Sequence, residues 1–395
     1  MTKLFQWPVA VAVLACSGCS PRGLGMSWRL SDLGNELSQP AVSTQDNLVV
    51  ITDADPLFNE IPRVVAFDLR NGNERWATEG SRTLPVITLD GDVVYGTETE
   101  VLCFDADGVE RWRAPLSSQR AVGIAVSDGG LIVVGTGLSL DAFDTEGVLQ
   151  WSVEMYASTP NLAIGPDGTT YLYDSNYWVY AVSPDGSMKW QRQLAATIED
   201  LMFQDGPVLV QQDRLVGLSA DDGSDVWAVD FPLDYETQSA TRSQPIATED
   251  GMLWMATDFG TVGIKDGALA ANGEVGCRSG MAAGSDGRLY AHCNTEAWIA
   301  DHAFMPRVQI VGQQHVVLSD ASGEPVWWPT KPSFEPFHLG GTGDPFGSPA
   351  LAKGRAVYSH AVNVYDLIAL SRAPDLADSA WPRAHADNRN SGQAR

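Results

Sequence analysis

The stretch VAFDLRNGNERW (65–76) opens a pattern that recurs along the chain: a β-type run, a turn that ends in Gly, and a Trp four positions after that Gly. The further copies are VLCFDADGVERW (101–112), LDAFDTEGVLQW (140–151), VYAVSPDGSMKW (179–190), LVGLSADDGSDVW (215–227) and HVVLSDASGEPVW (315–327). Repetition with a period of about forty residues indicates a repeat architecture, in which each unit buries its apolar face against its neighbours. The repeat therefore determines the fold class before any other feature of the sequence.

Each unit divides into four short strand candidates separated by turns. Asp-Gly pairs such as Asp167-Gly168 and Asp250-Gly251 are strong hairpin signals. A second strand follows such a turn, as in VVYGT (93–97), and a third strand then leads through the Gly turn to the strand that carries the Trp. Units of four short antiparallel strands are typical of propeller blades. We expect an all-β protein, an eight-bladed β-propeller of four-stranded antiparallel blades.

The two ends of the chain complete the count of blades. The eighth unit begins at Pro349 and lacks a Gly–Trp ending, whereas residues 26–30 look like an isolated fourth strand. We expect this N-terminal strand to complete the last blade and close the ring, which leaves no exposed edge between the chain ends. Seven blades is the alternative, if residues 228–280 are a decorated loop. We expect the C-terminal tail, 372–395, to pack against the outside of the closing blade.

The sixth unit has no Trp, and the sequence offers a cysteine instead. Gly273 is followed four residues later by Cys277, which we expect in the position of the missing Trp. We expect Cys293 to end the second strand of the seventh unit, whose first strand starts near Gly280. Antiparallel pairing would bring the two cysteines together, so a disulfide between Cys277 and Cys293 is predicted; the alternative is two buried thiols. The seventh unit also carries an insertion around 297–314.

The composition excludes one class of partner. Fifty acidic against 25 basic residues give a formal charge of −25. Because a negative surface repels phosphate, we expect no nucleic-acid binding. The acidic Asp-Gly motifs recur as hairpin turns and the six His residues are scattered, so no metal site is predicted.

The N-terminus has the features of an export signal. Lys3 precedes an apolar run of 12 residues, 4–15, which is too short to span a bilayer. Val13-Leu14-Ala15-Cys16 resembles the lipobox of bacterial lipoproteins, with Cys19 as the alternative lipidation site. Ser17, which follows Cys16, resembles the residue after the lipidated Cys in lipoproteins of the outer-membrane class. We therefore expect the protein to be anchored in the outer membrane and to face the periplasm or the cell surface. We expect a lipoprotein signal peptide (1–15), a lipidated Cys16 with a tether (16–25), and a propeller domain (26–395).

Beyond the spacing, the repeats resemble the pyrroloquinoline-quinone (quinoprotein-type) β-propeller superfamily. The residues that carry the resemblance are Ala66-Phe67-Asp68 with Gly72 and Trp76, and their later counterparts. The resemblance implies that the repeat tryptophans dock between neighbouring blades: Trp76, Trp112, Trp151, Trp190, Trp227 and Trp327. Because the chain has no adjacent Cys–Cys pair and no haem-attachment motif, we expect neither the quinone nor calcium as a cofactor.

Within the superfamily, the chain is similar to the propeller lipoproteins of the outer-membrane barrel-assembly machine. This implies a monomeric, non-enzymatic scaffold that binds envelope proteins, and residues 191–206 and 228–244 occupy the connections comparable to the partner-contacting loops of those proteins. The aromatic insertion with Trp328, Phe334, Phe337 and Phe346 is a second candidate partner loop; packing as a lid on the channel is its alternative. The alternative function is a ligand-binding or enzymatic propeller, a quinone-dependent dehydrogenase or a hydrolase or lyase, that uses the axial funnel.

Overall fold

The structure is a computed structural model. It describes residues 25–30, 33, 36–54, 62–155, 161–231, 244–256, 261–273, 280–298, 309–319, 325–327, 349–362 and 364–371, and the single positions 373, 375, 376, 378, 387 and 394. This part of the chain consists of strands and turns and contains no helix. The prediction of an all-β propeller is confirmed by the sheet topology and by the similarity to solved propellers described below.

The described strands form eight antiparallel sheets, which we number as blades 1 to 8. Blades 1 to 3 contain β2 (Glu36–Leu37), β3 (Ala41–Ser43), β4 (Leu48–Ala54), β5 (Arg63–Asp68) and β6 (Glu74–Glu79); β7 (Val86–Ile87), β8 (Val93–Gly96), β9 (Glu100–Phe104) and β10 (Glu110–Pro115); and β11 (Ala121–Val126), β12 (Ile132–Thr136), β13 (Ser139–Phe143) and β14 (Leu149–Glu154). Blades 4 to 6 contain β15 (Ala163–Ile164), β16 (Thr170–Tyr173), β17 (Trp178–Val182) and β18 (Met188–Gln193); β19 (Ile198–Phe203), β20 (Pro207–Gln211), β21 (Arg214–Leu218) and β22 (Asp225–Asp230); and β23 (Ile246–Ala247), β24 (Leu253–Ala256), β25 (Thr261–Lys265) and β26 (Ala268–Gly273).

The last two blades include the ring closure. Blade 7 contains β27 (Ala282–Gly284), β28 (Arg288–Trp298), β29 (Gln309–Ser319) and β30 (Pro325–Trp327), and blade 8 contains β31 (Ala350–Ala352), β32 (Arg355–Val362) and β33 (Val364–Ser371), with β1 (Gly25–Leu30) as its outer strand. β1 pairs antiparallel to β33, with Gly25 opposite Ser371 and Leu30 opposite Leu367. The predicted closure by the N-terminal strand is therefore confirmed, and the eight sheets are consistent with eight blades.

Burial explains why the strands differ in composition. The second and third strands are buried along nearly their whole length, as in β8 and β12, because a neighbouring blade covers each face. The fourth strands are mostly exposed, as in β14. The core therefore lies between adjacent sheets: Val94 and Cys103 of blade 2 share one apolar cluster with Val134 and Phe143 of blade 3.

The first strands surround the axis, and this arrangement defines two faces. The first strand of a blade lies beside the first strand of the next, as for β3 with β7 and β11 with β15. Because successive strands alternate in direction, the turns after the first and the third strand lie on one face, which we call the glycine-turn face. The turns after the second strand and the blade-to-blade connections lie on the opposite face.

Two details of blades 6 and 7 correct the sequence interpretation. The turn between the third and fourth strands of blade 6 is at Gly267, so the position of the missing Trp is occupied by Ala271 and not by Cys277; Gly273 ends β26. The second strand of blade 7 continues to Trp298, opposite Gln309, so Cys293 lies inside the strand and does not end it. Part of the expected insertion, 297–314, is therefore paired within β28 and β29. Strands β23 to β26, which lie within the range 228–280 that the seven-blade alternative treated as a loop, form a sheet of their own.

Candidate functional site

The seams between blades are built from a tryptophan and a glycine. The Trp112 indole of blade 2 lies against Gly147 in the third turn of blade 3, and its Nε1 donates a hydrogen bond of 2.7 Å to the carbonyl oxygen of Thr145. Gly147 has φ of 79°, and a Cβ at this position would lie 2.6 Å from the indole ring. Only glycine combines this backbone conformation with such a close approach. The Gly and the Trp of one unit thus make two different contacts. The Gly packs against the Trp of the preceding blade, and the Trp packs against the Gly of the next blade.

The same contact recurs around the ring. The tryptophan of one blade packs against the turn glycine of the next blade in each of these pairs: Trp76 with Gly108, Trp151 with Gly186, Trp190 with Gly223, and Trp227 with Gly267. In three of them the indole Nε1 donates to a turn carbonyl: Trp76 to Ala106 (3.0 Å), Trp151 to Pro184 (2.8 Å) and Trp190 to Ala220 (3.0 Å). Trp327 ends β30, but its side chain lies outside the described part of the structure.

Trp28 is a docking tryptophan that the sequence analysis did not assign. Its side chain is 8% exposed, packs against Gly72 of blade 1, and donates from Nε1 to the carbonyl oxygen of Leu69 at 2.9 Å. It therefore joins blade 8 to blade 1 by the contact that other blades use. Gly72 could have indicated this role in the sequence. Each turn glycine packs against a tryptophan of the preceding blade, so Gly72 of blade 1 requires a tryptophan from blade 8.

A polar group beside the first strands is shared by three blades. Asp200 of blade 5 accepts three hydrogen bonds at Oδ1: from Asn161 Nδ2 of blade 4 (2.6 Å), from the backbone N–H of Leu201 (2.7 Å), and from Gln244 Nε2 of blade 6 (3.1 Å). Burial raises the pKa of Asp200 to about 7, although these hydrogen bonds act in the opposite direction. The three side chains occupy the same place before the first-strand apolar pair in successive units, which is the signal that the sequence analysis missed.

The glycine-turn face holds part of the C-terminal tail. Leu376 forms an antiparallel bridge with Gly284 of blade 7, and the backbone N–H of Ala394 donates to the carbonyl oxygen of Ile164 in blade 4 at 2.7 Å. The expectation that the tail packs against the outside of the closing blade is therefore wrong for these residues. A cavity of about 460 Å³ beside Ala394 is lined by Ser127, Asp128 and Asp167 of blades 3 and 4.

Several predicted site residues lie outside the described part of the chain. These are Cys16, Cys19, Cys277, Trp328, Phe334, Phe337 and Phe346. Cys293 is described only by its backbone place in β28, so the disulfide stays a prediction. Within the described residues, no group of three or more His, Cys, Asp or Glu side chains has an arrangement that holds a metal ion. The same residues contain no helix with the length and apolar character needed to cross a membrane.

Comparisons with known proteins place this architecture in a family. The sequence model of the family described as outer membrane protein assembly factor BamB matches residues 60–197 and 157–374. A crystal structure of BamB from Moraxella catarrhalis matches with a TM-score of 0.52 and 13% identity, over 74% of this chain and 96% of that one. The crystal structure of the C-terminal WD40 domain of Sif2 matches with a TM-score of 0.57 and 9% identity, over 88% of this chain and 98% of that one. Both structural likenesses show the propeller fold alone. No curated protein matches the sequence.

Proposed function

This chain belongs to the family described as outer membrane protein assembly factor BamB, whose sequence model matches more than half of it, and from this premise we propose that it is a non-enzymatic scaffold for protein partners in the bacterial envelope. We further propose that it acts in outer-membrane protein assembly and is attached to the outer membrane through a lipid on Cys16, or alternatively Cys19. The observation that carries the proposal is the family match, which extends from blade 1 to the tail.

The construction of the ring supports a scaffold role. The tryptophan–glycine seams hold adjacent blades by buried or half-buried indoles and by backbone hydrogen bonds. A rigid ring presents its loops in a fixed arrangement, and loops on a rigid framework are common recognition surfaces. We propose as partner loops the blade-to-blade connections within 191–206 and 228–244, together with the aromatic insertion that contains Trp328, Phe334, Phe337 and Phe346. The expectation that all of 191–206 is a connection is wrong, because residues 198–203 form β19 and 204–206 form the turn that follows it, so only the residues between β18 and β19 connect the two blades.

The position of β1 supports an orientation for the anchored protein. Gly25 pairs with Ser371 at the end of the third strand of blade 8, so the chain reaches β1 from the glycine-turn face. Only residues 17–24 separate Cys16 from β1, and eight residues span at most about 30 Å. A lipid on Cys16 would therefore hold the glycine-turn face toward the membrane. The opposite face, on which β18 leads into β19 and β22 leads into β23, would point away from the membrane, toward soluble partners or the soluble parts of membrane proteins.

Affinity purification of the full chain from detergent-solubilised envelopes tests the proposed function. We expect a β-barrel component of the outer-membrane assembly machinery to co-purify and to be identified by mass spectrometry. An unrelated lipid-anchored protein of similar charge serves as the control, and recovery of the same proteins with both baits would contradict the proposal. Saturable calorimetric binding of pyrroloquinoline quinone with calcium would favour the enzymatic alternative instead.

The lipid anchor has a separate test. Metabolic labelling with palmitate should be lost in Cys16→Ser and retained in Cys19→Ser. Labelling that is lost only in Cys19→Ser would move the anchor to Cys19, and labelling that neither change affects would exclude a lipid at either position.

A further inference from the structure

The C-terminal segment, which we define as residues 373–395, contacts four blades at equivalent places. On blade 8, the backbone N–H of Ala373 donates to the carbonyl oxygen of Gly354 at 3.2 Å, and that of Lys353 donates to Asp375 Oδ1 at 2.9 Å. On blade 7, the backbone N–H of Ser285 donates to the carbonyl oxygen of Asp375 at 2.9 Å. Each of these blade residues lies in the turn that follows the first strand.

The contacts continue onto blades 6 and 4. The backbone N–H of Asp378 donates to Glu249 Oε1 of blade 6 at 3.1 Å, and Ala394 reaches Ile164 of blade 4 as described above. Both partners again belong to the region where the first strand meets its turn. Ala373, Asp375, Leu376, Asp378 and Ala394 therefore lie on the glycine-turn face, close to the axis, and not on the outer rim.

The apolar side chains of the segment are buried in these contacts. Ala373 is 5% and Leu376 is 9% exposed, and both belong to an apolar cluster formed by Ala282, Tyr290, Leu351 and Ala356 of blades 7 and 8. Leu376 thus fills an apolar site, while the main chain around it is bound through Gly284 and Ser285. This combination of main-chain pairing and an apolar side-chain site is how proteins bind extended peptides.

The segment crosses a seam that lacks the docking tryptophan of the earlier blades. Blade 6 has Ala271 where the earlier blades have a tryptophan, so its outer strand provides no indole to blade 7. The contacts of Asp375, Leu376 and Asp378 span the blades on both sides of that seam. A bound peptide at this place joins blades that lack the usual tryptophan contact.

We propose that the first turns of blades 6, 7 and 8 form a peptide-binding groove on the glycine-turn face, and that the C-terminal segment is its built-in occupant. The groove is bounded by Glu249, by Gly284–Ser285 and by Lys353–Gly354. It takes an extended peptide of the type of residues 373–378, Ala-Pro-Asp-Leu-Ala-Asp, in which an acidic residue precedes a buried leucine. The proposal rests on these contacts and does not depend on the proposed function.

Binding in trans provides the direct test. A fluorescein-labelled peptide with the sequence of residues 373–395 is titrated into the full chain and into a chain that ends at Arg372, and anisotropy is measured. We expect saturable binding to the shortened chain and at least ~10-fold weaker binding to the full chain, because the groove is already filled in cis. The peptide with Asp375→Asn and Leu376→Ala should bind the shortened chain at least ~10-fold more weakly than the unchanged peptide. Equal affinity for the two chains, or for the two peptides, would overturn the proposal.

A second measurement keeps the proposal testable if the shortened chain does not fold. In the full chain, trypsin cleavage after Arg383 and Arg389 is followed by mass spectrometry of the released C-terminal fragments. Leu376→Ala should release these fragments at least ~10-fold faster than the unchanged protein, since local opening controls cleavage. The control is Asp213→Asn, which changes an exposed turn of blade 5 on the opposite face and should leave the rate unchanged. Equal release rates for Leu376→Ala and the unchanged protein would show that the leucine contact does not hold the segment.

Discussion

Replacing Gly147 by Ala tests the tryptophan–glycine seam between blades 2 and 3. Ala in the left-handed conformation of this residue, φ 79°, costs about 1–2 kcal/mol. In addition, the new methyl group would lie 2.6 Å from the Trp112 ring, whereas carbon atoms prefer separations of about 3.5–4.0 Å. The indole must therefore move by about 1 Å, which weakens its packing and its hydrogen bond to Thr145, a bond with a net value of about 0.5–1.5 kcal/mol. We expect Gly147→Ala to destabilise the protein by about 2–4 kcal/mol.

Gly251→Ala is the matched control, because it has the same backbone conformation without the indole. Gly251 has φ of 81°, and a Cβ there would meet only Gln204 Nε2 at 3.7 Å, an ordinary contact. This change should cost only the backbone contribution, about 1–2 kcal/mol. The free energy of unfolding is obtained from urea denaturation monitored by far-UV circular dichroism. This signal, unlike tryptophan fluorescence, can also be used for the variant described next, which lacks a tryptophan.

The double variant separates the two contributions. In a Trp112→Ala background the methyl group has no ring to displace, so Gly147→Ala should cost about as much as Gly251→Ala does in the unchanged protein. The expected coupling between the two positions is about 1–2 kcal/mol. Equal costs for Gly147→Ala and Gly251→Ala, within about 0.5 kcal/mol, would refute the interpretation that Gly147 lacks a side chain in order to make room for the indole.

Two further predictions follow from the buried titratable groups. Because burial raises the folded pKa of Asp200 to about 7, the folded protein binds more protons than the unfolded chain between about pH 4 and pH 7, and its stability falls as the pH rises through that range. Asp200→Asn does not titrate, so its stability relative to the unchanged protein should increase by about 1–3 kcal/mol from pH 5 to pH 8 in urea denaturation; a pH-independent difference would contradict the raised pKa. Cys103 is a free, buried thiol whose pKa burial raises to about 12, so only about one molecule in ten thousand carries the thiolate at pH 8. In a Cys277→Ser/Cys293→Ser form without the leader cysteines, iodoacetamide should modify Cys103 only after denaturant is added; modification at the same rate in buffer would show that the site is open.

The repeat made much of the fold predictable. Hairpin signals and the Gly–Trp spacing are local, and they placed the third and fourth strands of blades 1 to 5 where the structure has them. The unpaired strand at residues 26–30 also predicted the ring closure, because an isolated fourth strand has one incomplete blade to join. Blade 6 was harder: without a Trp, the sequence analysis took Gly273 as the turn glycine, whereas the glycine between the paired strands is Gly267.

The candidate surfaces were less predictable, and the reason is the distance along the chain between their parts. Asp200 is held by residues from three blades, and its role appears only when the first strands meet around the axis. The tail has no strand signal of its own, so its path over the glycine-turn face depends on sites that blades 6, 7 and 8 provide.

The amino-acid sequence by itself determined the repeating blade, because the strands and turns of one blade depend on contacts within about forty residues. It also indicated the strand that joins the two ends, because a lone fourth strand has one incomplete blade to complete. Only the tertiary structure decided which blade receives each indole, that Trp28 seals the last seam, and where the C-terminal segment lies. These contacts join residues from different units, and they exist only after the ring brings those units side by side.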